Sequence, residues 1–179
     1  MIKLKILLVI DMQNDFLHGA LRNEEGIKII PSVVNKIKEY KANNDLVIAT
    51  RDTHYDNYLN TQEGINLPVA HCIKDTYGWE INDSVKEVLG DSLIIDKPVF
   101  GSMELALYLK EKYESIQKEL EIELVGVCTD ICVISNAMLI KSSLPEAKIT
   151  VLKDLCAGVT VDSHNNALNA MRMCQINIK

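Results

Sequence analysis

The chain has 179 residues, 47% of them hydrophobic and 25% charged, a balance ordinary for a soluble domain that buries a core without staples. That length fits one domain, expected over residues 1–179. Lys plus Arg number 19 against 25 Asp plus Glu, a net charge of −6, and without a basic stripe this excludes a nucleic-acid partner from expectation.

The opening MIKLKILLVIDMQNDF imitates a signal peptide only briefly. Its apolar run over residues 6–10 is short, and Asp11 ends it with no small-residue cleavage site. No later run is long enough to cross a bilayer, so no membrane partner is expected. Five cysteines, an odd number without secretory context, read as reduced thiols in a cytoplasmic protein.

Residues 4–10 are predicted as a buried strand. Ile30, Val33, Val34, Ile37 and Tyr40 recur at helical spacing, with Pro31 at an early helix position where its missing N–H does no harm. Residues 46–49 form a second strand. The stretch 53–77 is long and poorly periodic, a pattern often seen in functional loops. A third strand covers 93–95. Ser102 caps a helix over 104–113. A fourth strand over 120–127 leads into a helix over 131–141. A fifth strand over 149–152, a helix over 162–174 and a short strand over 176–178 complete the chain. This alternation predicts a three-layer α/β/α sandwich, Rossmann-like, with a doubly wound, mainly parallel sheet of five or six strands.

In such sheets the ligand sits beyond the carboxyl ends of the strands. Asp11 ends the first strand and Arg51 and Asp52 end the second. Lys97 follows the third, and Cys128 and Cys132 follow the fourth. These distant residues are therefore expected to meet at one edge.

Cys132 lies in GVCTDICVISNAM, at the first turn of a helix. Unpaired N–H groups and the helix dipole there favour a thiolate. Backbone N–H groups of the same turn can stabilise an oxyanion. On this segment alone a small buried residue is the simpler reading. The Cys128–Cys132 spacing is neither the usual zinc nor the thioredoxin spacing. Cys72, Cys156 and Cys174 read as structural. Alone, Asp11 would be a turn residue and Lys97 a solvated charge. Beside a thiol, a carboxylate can take its proton and an ammonium can stabilise its anion. Asp15 reads as a cap.

Asp52-Thr53-His54, followed by Glu63 and His71, offers two imidazoles and two carboxylates. That donor set suits a borderline divalent ion such as zinc, iron or manganese. Read separately, His54 and His71 are surface-loop residues. His18 and His164 read as loop or helix-surface residues.

DMQNDF at 11–16, Lys97, and GVCTDICV at 126–133 together resemble the isochorismatase-like cysteine hydrolases, over nearly the whole chain. Within that superfamily, Asp52-x-His54 and His71-Cys72 are similar to the metal motif of the nicotinamidases. The resemblance implies an Asp11–Lys97–Cys132 triad, with Cys132 attacking an amide carbonyl and a thioester intermediate. It implies an oxyanion hole from the backbone N–H groups of Cys128 and Cys132, and a cis peptide at Val127–Cys128. It implies a divalent metal, zinc first and iron or manganese as alternatives, on Asp52, His54 and His71 with Glu63 beside them. That metal would hold the substrate's pyridine nitrogen. It also implies a small amide substrate, a homo-oligomer (dimer or tetramer) and a place in NAD salvage.

The substrate pocket is expected to include Phe16, Phe100 in place of a common Tyr, and Trp79. The loop Asn66-Leu67-Pro68-Val69-Ala70 lacks an aromatic where one is usual. Two other readings stay open: a cysteine amidase or carbamoyl hydrolase acting on another small amide, and a non-catalytic binding module.

Overall fold

A computed structural model describes residues 4–179. In chain order the elements are β1 (Leu4–Ile10), α1 (Asn14–Leu17), α2 (Glu24–Ala42), β2 (Leu46–Asp52), α3 (Gln62–Asn66), α4 (Asp83–Leu89) and β3 (Leu93–Lys97). Then follow α5 (Met103–Tyr113), β4 (Leu120–Val127), α6 (Ile134–Ser143), β5 (Lys148–Ala157), α7 (Val161–Met173) and β6 (Asn177–Ile178). A 3-10 turn spans Tyr58–Asn60, another spans Glu114–Glu119, and a π-helical turn spans Thr129–Val133.

The strands form one parallel sheet in the order β3-β2-β1-β4-β5-β6. Because side chains alternate along a strand, Ile6, Leu8 and Ile10 enter one core while Leu7 and Val9 enter another. The first core is closed by Leu105 and Leu109 of α5, Ala137 and Ile140 of α6, and Leu168 and Met171 of α7. The second is closed by Val33 and Ile37 of α2 and Val85 and Leu89 of α4. The result is a three-layer sandwich whose chain reverses direction between β1 and β4. Crevices form at such switch points. Among the described residues no helix is long and apolar enough to cross a membrane.

Several boundaries depart from the periodic reading. The spacing from Ile30 onward puts Pro31 near a helix start, but α2 begins at Glu24, capped by the Asn23 side chain accepting from Gly26 N–H. Pro31 is thus inside the helix, on its exposed side, where losing one backbone donor is tolerated best. The short helix α4 has no counterpart in the periodicity. Only Val85 and Leu89 bury from it, too few positions to establish a period. Strands β2 and β3 run on to Asp52 and Lys97, which pair in register. Strand β5 continues past residue 152 through a register shift against β4.

Gly126 closes the β1–β4 ladder opposite Ile10. Its φ is 118°, and a Cβ there would lie 2.1 Å from the Ile10 carbonyl oxygen. Only glycine allows the two strand ends to approach this closely. Asp11 and Cys128 leave the sheet just beyond.

Candidate active site

The carboxyl edge gathers three charges with almost no water access. Asp11, at a φ of 47°, accepts a 2.7 Å hydrogen bond from the Thr50 hydroxyl on Oδ1. Its Oδ2 lies 2.7 Å from Lys97 Nζ. Lys97, 1% exposed, also donates to Asp52 Oδ1 (3.1 Å), the Val99 carbonyl (3.2 Å) and Cys132 Sγ (3.5 Å). One ammonium therefore touches both carboxylates and the thiol.

Burial raises the Asp11 pKa above the ordinary aspartate value. The Lys97 charge opposes that rise and Asp52 adds to it. A carboxylate perturbed this way is a better proton acceptor than a solvated one. Burial alone would push the Lys97 ammonium down, but the charges of Asp11, Cys132 and Asp52 hold it above the usual lysine value. The Cys132 thiol is pushed well up by burial and then by the Asp11 charge, with Lys97 opposing. The helix-start reading favours a thiolate. The buried site instead favours the protonated thiol, with the Asp11 carboxyl alongside.

Cys132 sits in the π-helical turn, where Val133 N–H donates to the Cys128 carbonyl at 3.0 Å. The Val127–Cys128 peptide is cis. Burial raises the Cys128 thiol to about 12.

Asp52 uses its second oxygen on a neighbouring group. Oδ2 lies 3.0 Å from His54 Nε2 and 3.6 Å from His71 Nε2. Glu63 Oε1 lies 3.5 Å and 3.9 Å from the same two nitrogens. Burial would raise Asp52, but the imidazoles of His54 and His71, joined by Lys97, hold it well below the usual carboxylate range. One donor atom from each of Asp52, His54, Glu63 and His71 falls within 4.8 Å of all the others. His71 Nδ1 is 2.8 Å from the Val69 carbonyl. That carbonyl only accepts, so Nδ1 carries a proton, which leaves Nε2 as the nitrogen that would bind an ion. Two imidazoles and two carboxylates converging this way fit a divalent transition metal.

The aromatic surroundings are mixed. Phe16 is buried, with its ring 5.6 Å from His71. Phe100 is 44% exposed. Trp79 is buried, with its N–H donated to the Thr53 hydroxyl at 2.8 Å and its ring 3.3 Å below the Arg51 guanidinium. His164 is bound to the Thr129 hydroxyl at 2.8 Å, and His18 is exposed.

Three supporting residues escape sequence reasoning. Gln13 is fully buried and grips Asp52 from both sides, accepting its N–H at 2.7 Å and donating to its carbonyl at 2.8 Å. Asp15, read as a cap, accepts from Cys72 N–H at 2.7 Å and so fixes the residue after His71. Tyr58 packs its ring 4.6 Å from His54 and 5.0 Å from His71, and donates its hydroxyl to the Leu67 carbonyl. The available signals are a Gln three residues past a buried strand and one of three tyrosines in a polar loop. Both are too common to single out.

The isochorismatase domain family model matches residues 5–178. The chain is 24% identical to the nicotinamidase of Schizosaccharomyces pombe, over 96% of this chain and 91% of that protein. It is 30% identical to an isochorismatase family protein of Bacillus subtilis, over 92% of each. Its fold superposes on the pyrazinamidase of Pyrococcus horikoshii in complex with zinc, with a TM-score of 0.82 and 29% identity, over 98% of each chain. Matched over nearly its full length, the chain belongs to the isochorismatase family.

Proposed function

We propose that this chain is an amidase that hydrolyses nicotinamide to nicotinate and ammonia through Cys132. The observation that carries the reading is the division of Asp52. One of its oxygens meets the Lys97 ammonium and the other meets the imidazoles, so a thiol–carboxylate–ammonium cluster and a metal-type donor set share one buried wall. The relatives named nicotinamidase and pyrazinamidase support the substrate class.

Asp11 accepts the thiol proton as Cys132 Sγ bonds to the amide carbon. The oxyanion is held by the backbone N–H groups of Cys128 and Cys132. The C–N bond then breaks, the nitrogen takes the proton from Asp11, and ammonia leaves a thioester on Cys132. Water attacks that thioester, Asp11 takes its proton, and the proton returns to sulfur as the acid is released. Lys97 stays charged throughout and offsets each anion formed beside it. A divalent ion, zinc or else iron or manganese, held by Asp52, His54 and His71 with Glu63 beside them, would supply a Lewis-acidic anchor for a pyridine nitrogen. Phe16 lines that pocket. Its contribution, like the anchor's, is orientation of the carbonyl toward Sγ.

The test is ammonia release from nicotinamide by zinc-loaded protein, with pyrazinamide and other small amides alongside. Turnover of nicotinamide that is lost in a folded Cys132→Ser variant supports the reading. Full activity in that variant overturns the nucleophile. Turnover of another amide alone overturns the substrate.

A further inference from the structure

Asn136 lies two residues into α6 and is fully buried. Asparagine inside a helix competes with the backbone for hydrogen bonds and is disfavoured there unless its amide is used. Here every arm of the amide is used. Nδ2 donates to the Cys132 carbonyl at 2.8 Å and to the Phe100 carbonyl at 3.2 Å. Oδ1 accepts from Ser102 N–H at 2.9 Å. The segment after Lys97 is therefore tied down twice: at Val99 by the lysine's own ammonium, and at Phe100 and Ser102 by Asn136. The same amide holds the carbonyl of the residue that carries the thiol.

We propose that Asn136 is a positioning residue that sets the Cys132 thiol against Lys97 and Asp11, acting through the Cys132 carbonyl. The 3.5 Å separation between Lys97 Nζ and Cys132 Sγ spans two segments that meet through this side chain. The proposal rests on the reading of Cys132 as nucleophile. A purely structural role for Asn136 would fasten the 100–102 segment and the α5 cap, whose Ser102 hydroxyl accepts from Leu105 N–H. It would leave the chemistry alone.

Asn136→Thr and Asn136→Val separate the two roles. A helical threonine donates its hydroxyl to the carbonyl four residues earlier, which here is that of Cys132. Valine has the same shape and no donor. Neither side chain carries the amide that ties down Phe100 and Ser102, so both variants lose that fastening alike. Two readouts are taken: kcat and KM on nicotinamide, and the rate of Cys132 alkylation by iodoacetamide, followed by peptide mass spectrometry. Asn136→Val is expected to lower kcat and the alkylation rate each by about tenfold, with KM within about twofold. Asn136→Thr is expected to recover both to within about threefold of the unaltered chain, at the melting temperature of the Val variant.

Equal kcat and equal alkylation in the two variants, or a loss confined to KM, overturn the positioning role. If nicotinamide is not turned over, the alkylation rates decide alone. Retained turnover in Cys132→Ser overturns the nucleophile reading rather than this one. If the larger pair fails to fold, Asn136→Ser and Asn136→Ala repeat the comparison with smaller side chains.

Discussion

The two ends of the sheet carry the same kinds of residue in opposite settings. At the amino edge, Lys36 pairs with Glu39 at 3.1 Å and with Glu123 at 3.3 Å, and Lys148 lies 3.3 Å from Glu121. Tyr40 donates to Glu123 at 2.8 Å. Tyr40 is buried, but the charged groups are half-buried or exposed, and water does much of the work of stabilising them. At the carboxyl edge, Asp11, Asp52 and Lys97 are closed off from solvent, so each charge is stabilised only by its neighbours. Desolvating charges is costly and is repaid in part by close pairing. The fold thus keeps its expensive electrostatics at one end, where perturbed acids and bases are useful. The other end keeps an ordinary surface.

The sharpest way to break this contrast is Lys97→Met. It leaves Asp11 and Asp52 buried without their shared cation, and should cost about 3–5 kcal/mol in urea unfolding at neutral pH. A loss as small as that of a surface pair would contradict the account. Zinc comes next. At a hundredfold excess over its Kd it should stabilise the chain by about 3 kcal/mol in thermal unfolding, and the gain should vanish in His71→Ala. An equal gain in both proteins would remove His71 from the donor set.

Cys156, at the carboxyl end of β5, gives a third measure. Burial pushes its thiol up to about 12, against an ordinary value of 9.0, with a hydrogen bond from Gly126 opposing. The folded thiol keeps its proton where the unfolded one loses it. Its contribution is therefore complete below pH 9 and is lost as pH rises toward 12. Cys156→Ala should flatten the alkaline fall in stability by about 1.4 kcal/mol per pH unit. An unchanged slope would show that this thiol titrates alike in both states. The smallest effect belongs to the amino edge. Glu123→Gln should cost about 1 kcal/mol or less and leave turnover unchanged. A loss comparable to that of Lys97→Met would erase the distinction between the edges.

Much of the fold is legible in the sequence for physical reasons. Strands β1 and β4 stand out as apolar runs because both faces of the sheet are covered. Helix α5 announces itself through Ser102, whose hydroxyl accepts from Leu105 N–H. The start of α2 is hidden because Pro31 looks like a beginning, while the true cap at Asn23 precedes a polar first turn. The ends of β2 and β3 are hidden because Asp52 and Lys97 look like loop charges. They are strand residues whose side chains find partners in each other. The charged members of the site are legible because strand ends converge. Gln13, Tyr58 and Asn136 are not, since their roles depend on carbonyls and rings brought close only by folding.

One methyl group's worth of missing volume governs the whole arrangement. Gly126 lets the last rungs of β1 and β4 close to within contact; Asp11 directly follows the first strand, and the turn that carries Cys132 begins just past the second. An empty position thus sets how far apart those two segments stand. Any side chain at 126 would act as a wedge, pushing Asp11 and the Cys132 turn apart while removing neither side chain. Among all single replacements, an alanine at that silent position should therefore rank with the loss of a charged group.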